Sequence, residues 1–128
     1  MPDRDRVNRL AEHIETGKLI EALTEFYHPD VVMQENSLPP RVGLAVSLER
    51  QKKAMALTAE VHEVKIVSIL VDGDLVAMEC HAEWTTSEGA RVRIEQVSLQ
   101  TWRDGKVIHE RFFYDPTPLR EADISLNN

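Results

Sequence analysis

Cys80 is the only cysteine, so no disulfide can close within the chain and a cysteine-based zinc site lacks ligands. A lone thiol in an apolar stretch reads as an inert core residue, suited to a reducing cytosol. The five glycines, at 17, 43, 73, 89 and 105, fall where helices end or the chain turns. None forms a phosphate-cradling loop, which argues against a nucleotide cofactor. No Gly-x-Ser-x-Gly elbow is present, so a serine nucleophile has no local support. Basic residues are outnumbered, 15 against 22 acidic ones, for a net charge of −7. Nucleic acid is therefore not an expected partner, because its phosphates would be repelled. The small basic clusters, Arg50 with Lys52 and Lys53 and Arg91 with Arg93, read as solvated faces. No apolar run reaches signal-peptide or membrane-span length, and the charged stretch from Pro2 to Arg6 leads directly into an amphipathic pattern. A cytoplasmic protein without membrane contact is expected.

What remains is ordinary globular composition: 42% hydrophobic and 29% charged over 128 residues, enough for a single domain spanning 1–128 with its own core. Val7, Leu10, Ala11 and Ile14 recur at helical spacing, and Gly17 follows as a stop. Leu19, Ile20, Leu23, Phe26 and Tyr27 mark a second helix that ends before Pro29. Val31 to Met33 is a short strand, and a further edge strand reaching Val42 follows the Pro39–Pro40 break. The third helix runs from about Leu44 to Thr58, with Leu44, Leu48, Gln51 and Met55 on one side. Its other side, Glu49, Arg50, Lys52 and Lys53, faces water.

From Val61 the period becomes two. Val64, Ile66, Ser68 and Leu70 share a face. Turns at Asp72–Asp74, Ser87–Gly89 and Asp104–Gly105 then separate long strands over 75–86, 92–102 and 107–114. The tail, 117–128, is expected to be mobile. Helices followed by a four-strand meander indicate an α+β architecture. The expected form is a curved antiparallel sheet wrapped by three N-terminal helices, and such a sheet leaves a central pocket.

Several residues in this frame could carry chemistry. His81 and Glu83 share a strand face and could offer two metal ligands. That face is the more polar one, opposite Val76 to Trp84, so it reads as surface or subunit contact and no metal site is assigned. Gln96, Ser98, Gln100 and Trp102 share one face of the penultimate strand. Ile108, Glu110, Phe112 and Tyr114 share one face of the last. If both faces point inward, amide, hydroxyl and carboxyl groups sit among aromatics and need partners. Alternation alone equally allows the penultimate strand to bury Val97 and Leu99 instead. Glu35 ends an apolar strand before a proline-containing turn. A carboxylate at an apolar cavity mouth, where desolvation opposes the charged form, can take up or deliver a proton.

The stretch Phe26-Tyr27-His28-Pro29-Asp30-Val31-Val32, the Pro39–Gly43 segment, and the ending from Trp102 through Asp104-Gly105 to Tyr114-Asp115-Pro116 together resemble the nuclear transport factor 2-like superfamily. They are most similar to its ketosteroid isomerase-like and SnoaL-like branch. The resemblance spans nearly the whole chain and implies a cone of curved sheet. It also implies a homodimer through the outer sheet face, with Glu110, Phe112 and Tyr114 pointing inward. It places Glu35 at the position of the proton-shuttling carboxylate. The family's oxyanion tyrosine falls near Leu10, and its second oxyanion acid falls near Ser98, a weaker donor. Steroid isomerisation is therefore not expected. The Arg-x-Asp pair of the limonene epoxide hydrolase branch corresponds to His81-x-Glu83, and its last-strand Asp to Phe112. The paired histidines of the scytalone dehydratase-like arrangement are not recognisable.

Two functions follow. One is a cofactor-independent isomerase, cyclase or hydratase acting by general acid–base chemistry on a small apolar carbonyl compound. Glu35 would be the proton acceptor, with Tyr114 and Ser98 assisting. Tyr27, His28, Trp84, Gln96, Gln100, Trp102, Glu110 and Phe112 would contact the ligand. The alternative is a non-catalytic ligand-binding or dimerisation module with the same pocket.

Overall fold

A computed structural model describes residues 2–124. Helix α1 spans Arg4–Glu15. The Asp3 carboxylate accepts the Asp5 N–H at 2.9 Å, capping the first turn, and Asp5 adds a charge that favours the helix dipole. At the other end Gly17 takes a left-handed φ of 76°. Lys18 N–H then bonds His13 O at 2.9 Å and Gly17 N–H bonds Ile14 O at 3.2 Å, which satisfies the last carbonyls. The chain turns directly into α2, Leu19–Phe26. Val7, Leu10 and Ala11 from α1 and Ala22, Leu23 and Phe26 from α2 are buried together, as the spacing predicts.

Strand β1 spans Tyr27–Glu35, longer than the apolar triplet suggested, and the two-residue β2, Arg41–Val42, lies at the sheet edge. Helix α3 covers Leu44–Ala56. Strands β3 (Thr58–Asp72), β4 (Leu75–Thr86), β5 (Arg91–Arg103) and β6 (Lys106–Tyr114) form the meander. The sheet order is β2-β1-β6-β5-β4-β3, giving six strands in one curved, unclosed sheet. It is not wholly antiparallel. β1 runs parallel to β6, because the chain returns through α3 and the meander before its last strand reaches β1. The pairing breaks between Tyr27 and Val32, where Pro29 has no N–H for the ladder.

Bulges decide which residues face inward. Between Ile66 and Ser68 the β3 strand carries one extra residue relative to β4. Beyond it Ile69 and Val71 pack on the core, whereas Leu70, expected on the same face as Ile66, is exposed. A shift between Thr101 and Trp102 likewise places Val107, not Ile108, against the core with Trp102. On β5 the polar set faces inward: Ser98, Gln100 and Trp102 are buried while Val97 and Leu99 are exposed.

The main core gathers Val7, Leu10, Phe26, Val31, Val76, Met78, Trp102 and Val107 where α1 and α2 cover one end of the concave face. Arg6 fastens this end. Its guanidinium donates to Gly105 O at 2.5 Å and Glu25 O at 2.9 Å while lying 4.6 Å over the Phe26 ring.

The expected mobile tail is corrected in part. Residues 117–121 form a short helix, α4, and Leu119 is buried against Val92 and Ile94; residues 125–128 lie outside the described residues. Trp84 and Tyr114 pack on this second cluster, which supplies the apolar shelf that docks the segment. Among the described residues no helix is long and apolar enough to cross a membrane. Leu119→Ala is expected to lower unfolding stability by about 2 kcal/mol, measured by urea titration. A change near zero would mean that α4 does not hold to the sheet.

Candidate functional site: a cavity with two unlike ends

A cavity of about 890 Å³ opens between the helices and the concave sheet face. Glu15, Thr16 and Gly17 at the end of α1, Met55 near the end of α3, and Ala59 to Glu63 on β3 ring its mouth and are exposed. Leu10, Ile14, Leu23, Met33, Met78, Ala82 and Trp84 give it apolar walls.

At its floor lies Glu110, 2% exposed and part of the cavity lining. Tyr27 OH donates to Glu110 Oε1 at 2.6 Å, and Gln100 Nε2 donates to Oε2 at 3.1 Å. Gln100 Nε2 also reaches Ser98 Oγ at 3.1 Å, and its carbonyl accepts Trp102 Nε1–H at 2.9 Å. The chain of bonds explains why alternation buries polar residues here: Ser98 and Trp102 pair with Gln100 along β5, and Gln100 and Tyr27 reach Glu110 from the neighbouring strands. Desolvation is the strongest influence on Glu110 and pushes it up to about 7. Hydrogen bonds from Tyr27, Ser98 and Gln100 oppose that, and the charge of Glu35 adds to it. Tyr27 is held well above the ordinary tyrosine value, by burial first and by Glu110 second, so it stays a donor.

The second polar end gathers around Glu35, 7% exposed at the C-terminal end of β1. The pairing Met33↔Arg41 brings β2 alongside, and Arg41 Nη2 stands 3.0 Å from Glu35 Oε2. Arg50 Nη1 from α3 is 3.4 Å from Oε1, and Tyr114 OH donates to the same oxygen at 3.4 Å. Burial, then Glu35, pushes Tyr114 up to about 12. Asn36, left-handed at φ 49°, fixes the strand end. Its N–H bonds Phe112 O at 2.7 Å and its side-chain oxygen accepts Tyr114 N–H at 3.0 Å. Glu35 thus sits between two guanidiniums, not in the apolar mouth that its sequence position suggests.

Of the residues singled out from sequence, Glu35, Tyr27, Trp84, Gln96, Ser98, Glu110 and Phe112 line the cavity. Tyr27 lies at the floor beside Glu110. Gln100 and Trp102 stand behind Glu110 and hold it, and Tyr114 touches Glu35 from outside the lining. His28 is elsewhere, its Nδ1 accepting the Asp30 N–H at 3.0 Å. Sequence reasoning missed Arg41, Ser47 and the inward turn of Arg50, which it assigned to a solvated face. The available signal was the i, i+3, i+4, i+7 series Ser47, Arg50, Gln51, Ala54, all of which line the cavity. Cys80 also lines it, and burial pushes its thiol up to about 11. His81 Nε2 lies 2.8 Å from Glu79, while Glu83, which borders the cavity, is bonded by Arg91 and Arg93.

The raised Glu110 makes stability pH-dependent with a definite sign. The unfolded carboxyl ionises near 4.5 and the folded one near 7, so the folded state binds the extra proton between them. Stability is complete below about pH 4.5 and falls as pH rises through 7, by on the order of 3 kcal/mol. Glu110→Gln is expected to flatten this fall in urea titrations at pH 5 and pH 8. An unchanged slope would show that Glu110 is not its source.

Comparisons place this geometry in a family. None of the curated proteins matches the sequence. A proposed SnoaL-like polyketide cyclase from Jannaschia sp. CCS1 superposes with a TM-score of 0.78 at 20% identity, covering 92% of this chain and 88% of that one. IdmH, a proposed polyketide cyclase from Streptomyces antibioticus, superposes at 0.74 with 22% identity over 94% and 98%. An LEH-like epoxide hydrolase from M. tuberculosis superposes at 0.70 with 17% identity over 91% and 85%. At these identities the likeness carries the fold. The family model for the SnoaL-like domain matches residues 7–110, and the chain belongs to that family.

Proposed function

We propose that this chain binds a small apolar, carbonyl-bearing molecule and moves a proton on it without a cofactor, Glu110 being the group that takes and returns the proton. The observation that carries the reading is a buried carboxyl on the cavity floor, held by Tyr27 and Gln100 and poised to exchange a proton near pH 7. Glu35 was the candidate from sequence. Its two guanidinium neighbours favour a role in charge balance and in orienting Arg41 and Arg50. Those cations line the same cavity and supply positive charge for the oxyanion that proton removal creates. Tyr114 supports Glu35, and Ser98 steadies the Gln100–Glu110 pair. A lone, protonated thiol suits a cytoplasmic setting.

The test is proton exchange in D₂O on a panel of aryl and alkyl ketones, read by loss of the α-proton NMR signal. Exchange is expected to rise through about pH 7 as Glu110 ionises and to fall by roughly 10²–10⁴ in Glu110→Gln. Undiminished exchange in that variant would leave the chain a binding module.

We further propose that two copies pair through the outer sheet face. Val97, Leu99 and Phe113 are about 40% exposed there, beside exposed Leu70. Light scattering is expected to give a dimer mass, and a monomer mass for Val97→Lys with Leu99→Lys. A monomeric native chain would overturn the pairing.

A further inference from the structure

Gln100 is fully buried, and its amide is constrained from both ends. The nitrogen reaches Glu110 Oε2 at 3.1 Å, Ser98 Oγ at 3.1 Å and Met78 Sδ at 3.6 Å, and the oxygen accepts the Trp102 indole N–H at 2.9 Å. An amide has nearly the same shape either way round, so packing alone does not choose its direction. Glu110 chooses it in only one of its two states. The ionised carboxylate accepts, and holds the amide nitrogen towards it. The protonated carboxyl can also donate, and the amide oxygen would serve it as well. Trp102 removes that freedom. Its indole nitrogen only donates, so the oxygen of Gln100 must face it and the nitrogen must face Glu110 whether or not Glu110 carries a proton. Trp102 is itself held firmly, 2% exposed in the main core, with its backbone N–H on Asp74 O at 2.8 Å.

We infer that Trp102 is a positioning residue for Glu110: by occupying the Gln100 oxygen it compels the amide to offer N–H, and so favours the form of Glu110 that accepts a proton. This role rests on Glu110 being the proton-exchanging group. A reversed amide would set an oxygen against Glu110 Oε2 and favour the protonated carboxyl instead. The other groups that act on Glu110 are Tyr27 at the start of β1, Ser98 on β5 and the charge of Glu35 at the end of β1. From β4, Met78 and the thiol of Cys80 line the same cavity, and burial keeps that thiol protonated. Trp102 touches none of the reacting atoms. It acts through the direction of one amide.

The test follows the ionisation midpoint of Glu110 by carbon NMR of side-chain-labelled glutamate, the signal being assigned by its loss in Glu110→Gln. Exchange of α-protons on the ketone panel is measured beside it. Trp102→Phe keeps an aromatic ring and removes the donor, and is expected to raise the midpoint by about one pH unit. Exchange below the midpoint is then expected to be about tenfold slower, its pH profile displaced by the same amount. Gln100→Met removes the amide whose direction matters, so adding Trp102→Phe to it is expected to move the midpoint no further. An equal displacement in both backgrounds would make Trp102 a packing residue and overturn the inference, as would an unmoved midpoint in Trp102→Phe alone. A midpoint that rises while the exchange profile stays in place upholds the hold on Gln100 and removes Glu110 as the exchanging group. If a thermal melt shows Trp102→Phe unfolded, the native chain supplies the answer. One side-chain N–H signal of Gln100 is expected to move downfield as Glu110 ionises, and amide signals indifferent to that titration overturn the inference.

Discussion

The hydrogen bond from Tyr27 to Glu110, 2.6 Å long and fully buried, joins the first residue of β1 to the middle of β6. It lies where α2 becomes strand and the parallel pairing of β1 with β6 begins, so the same contact ties the start of that pairing to the floor of the cavity. Glu110 cannot be buried without donors, and Tyr27 and Gln100 are the donors. Gln100 in turn needs Trp102 to complete its amide. Each polar group on the inner face is therefore justified by the next. Removing one would leave its neighbour desolvated without a partner, which is why the network acts as a unit.

The cavity has two ends of opposite character. One is the floor, a carboxyl whose proton is retained by desolvation; the other, across the β1–β6 pairing, is Glu35 between two arginines. Two carboxyl groups in one chamber can take different parts because their surroundings differ, one apolar with neutral donors, the other cationic. The influence of Glu35 on Glu110 is repulsive, so the charge state of one end is felt at the other.

Much of the fold was legible in the sequence. Helical periodicity located α1 and α2, and the turns at Asp72–Asp74 and Asp104–Gly105 fixed the meander. Alternation could not say which face of β5 is buried, since Gln100 and Ser98 look like surface residues until Glu110 and Tyr27 arrive from distant segments. Nor could it locate the bulge at Val67, which turns Leu70 out and Ile69 in. For the site, Glu35 was singled out by the family resemblance together with its place after an apolar strand. Arg41 and Arg50 were not, because an arginine beside lysines on a helix usually faces water. What turns Arg50 inward is a carboxylate 15 residues upstream, and no local pattern records that.

The mouth of the cavity bears on what can reach this chemistry at all. Glu15 and Glu60 stand around it, Glu63 there is paired with Arg93 at 3.5 Å, and the C-terminal ends of α1 and α3 lie at its edge. Such an entrance carries a negative potential, which opposes anions. A molecule that is already an anion in solution meets a repulsive field before it meets any arginine, whereas its neutral conjugate acid passes. The surface thus bears on the cavity through charge alone, before any contact inside it is made.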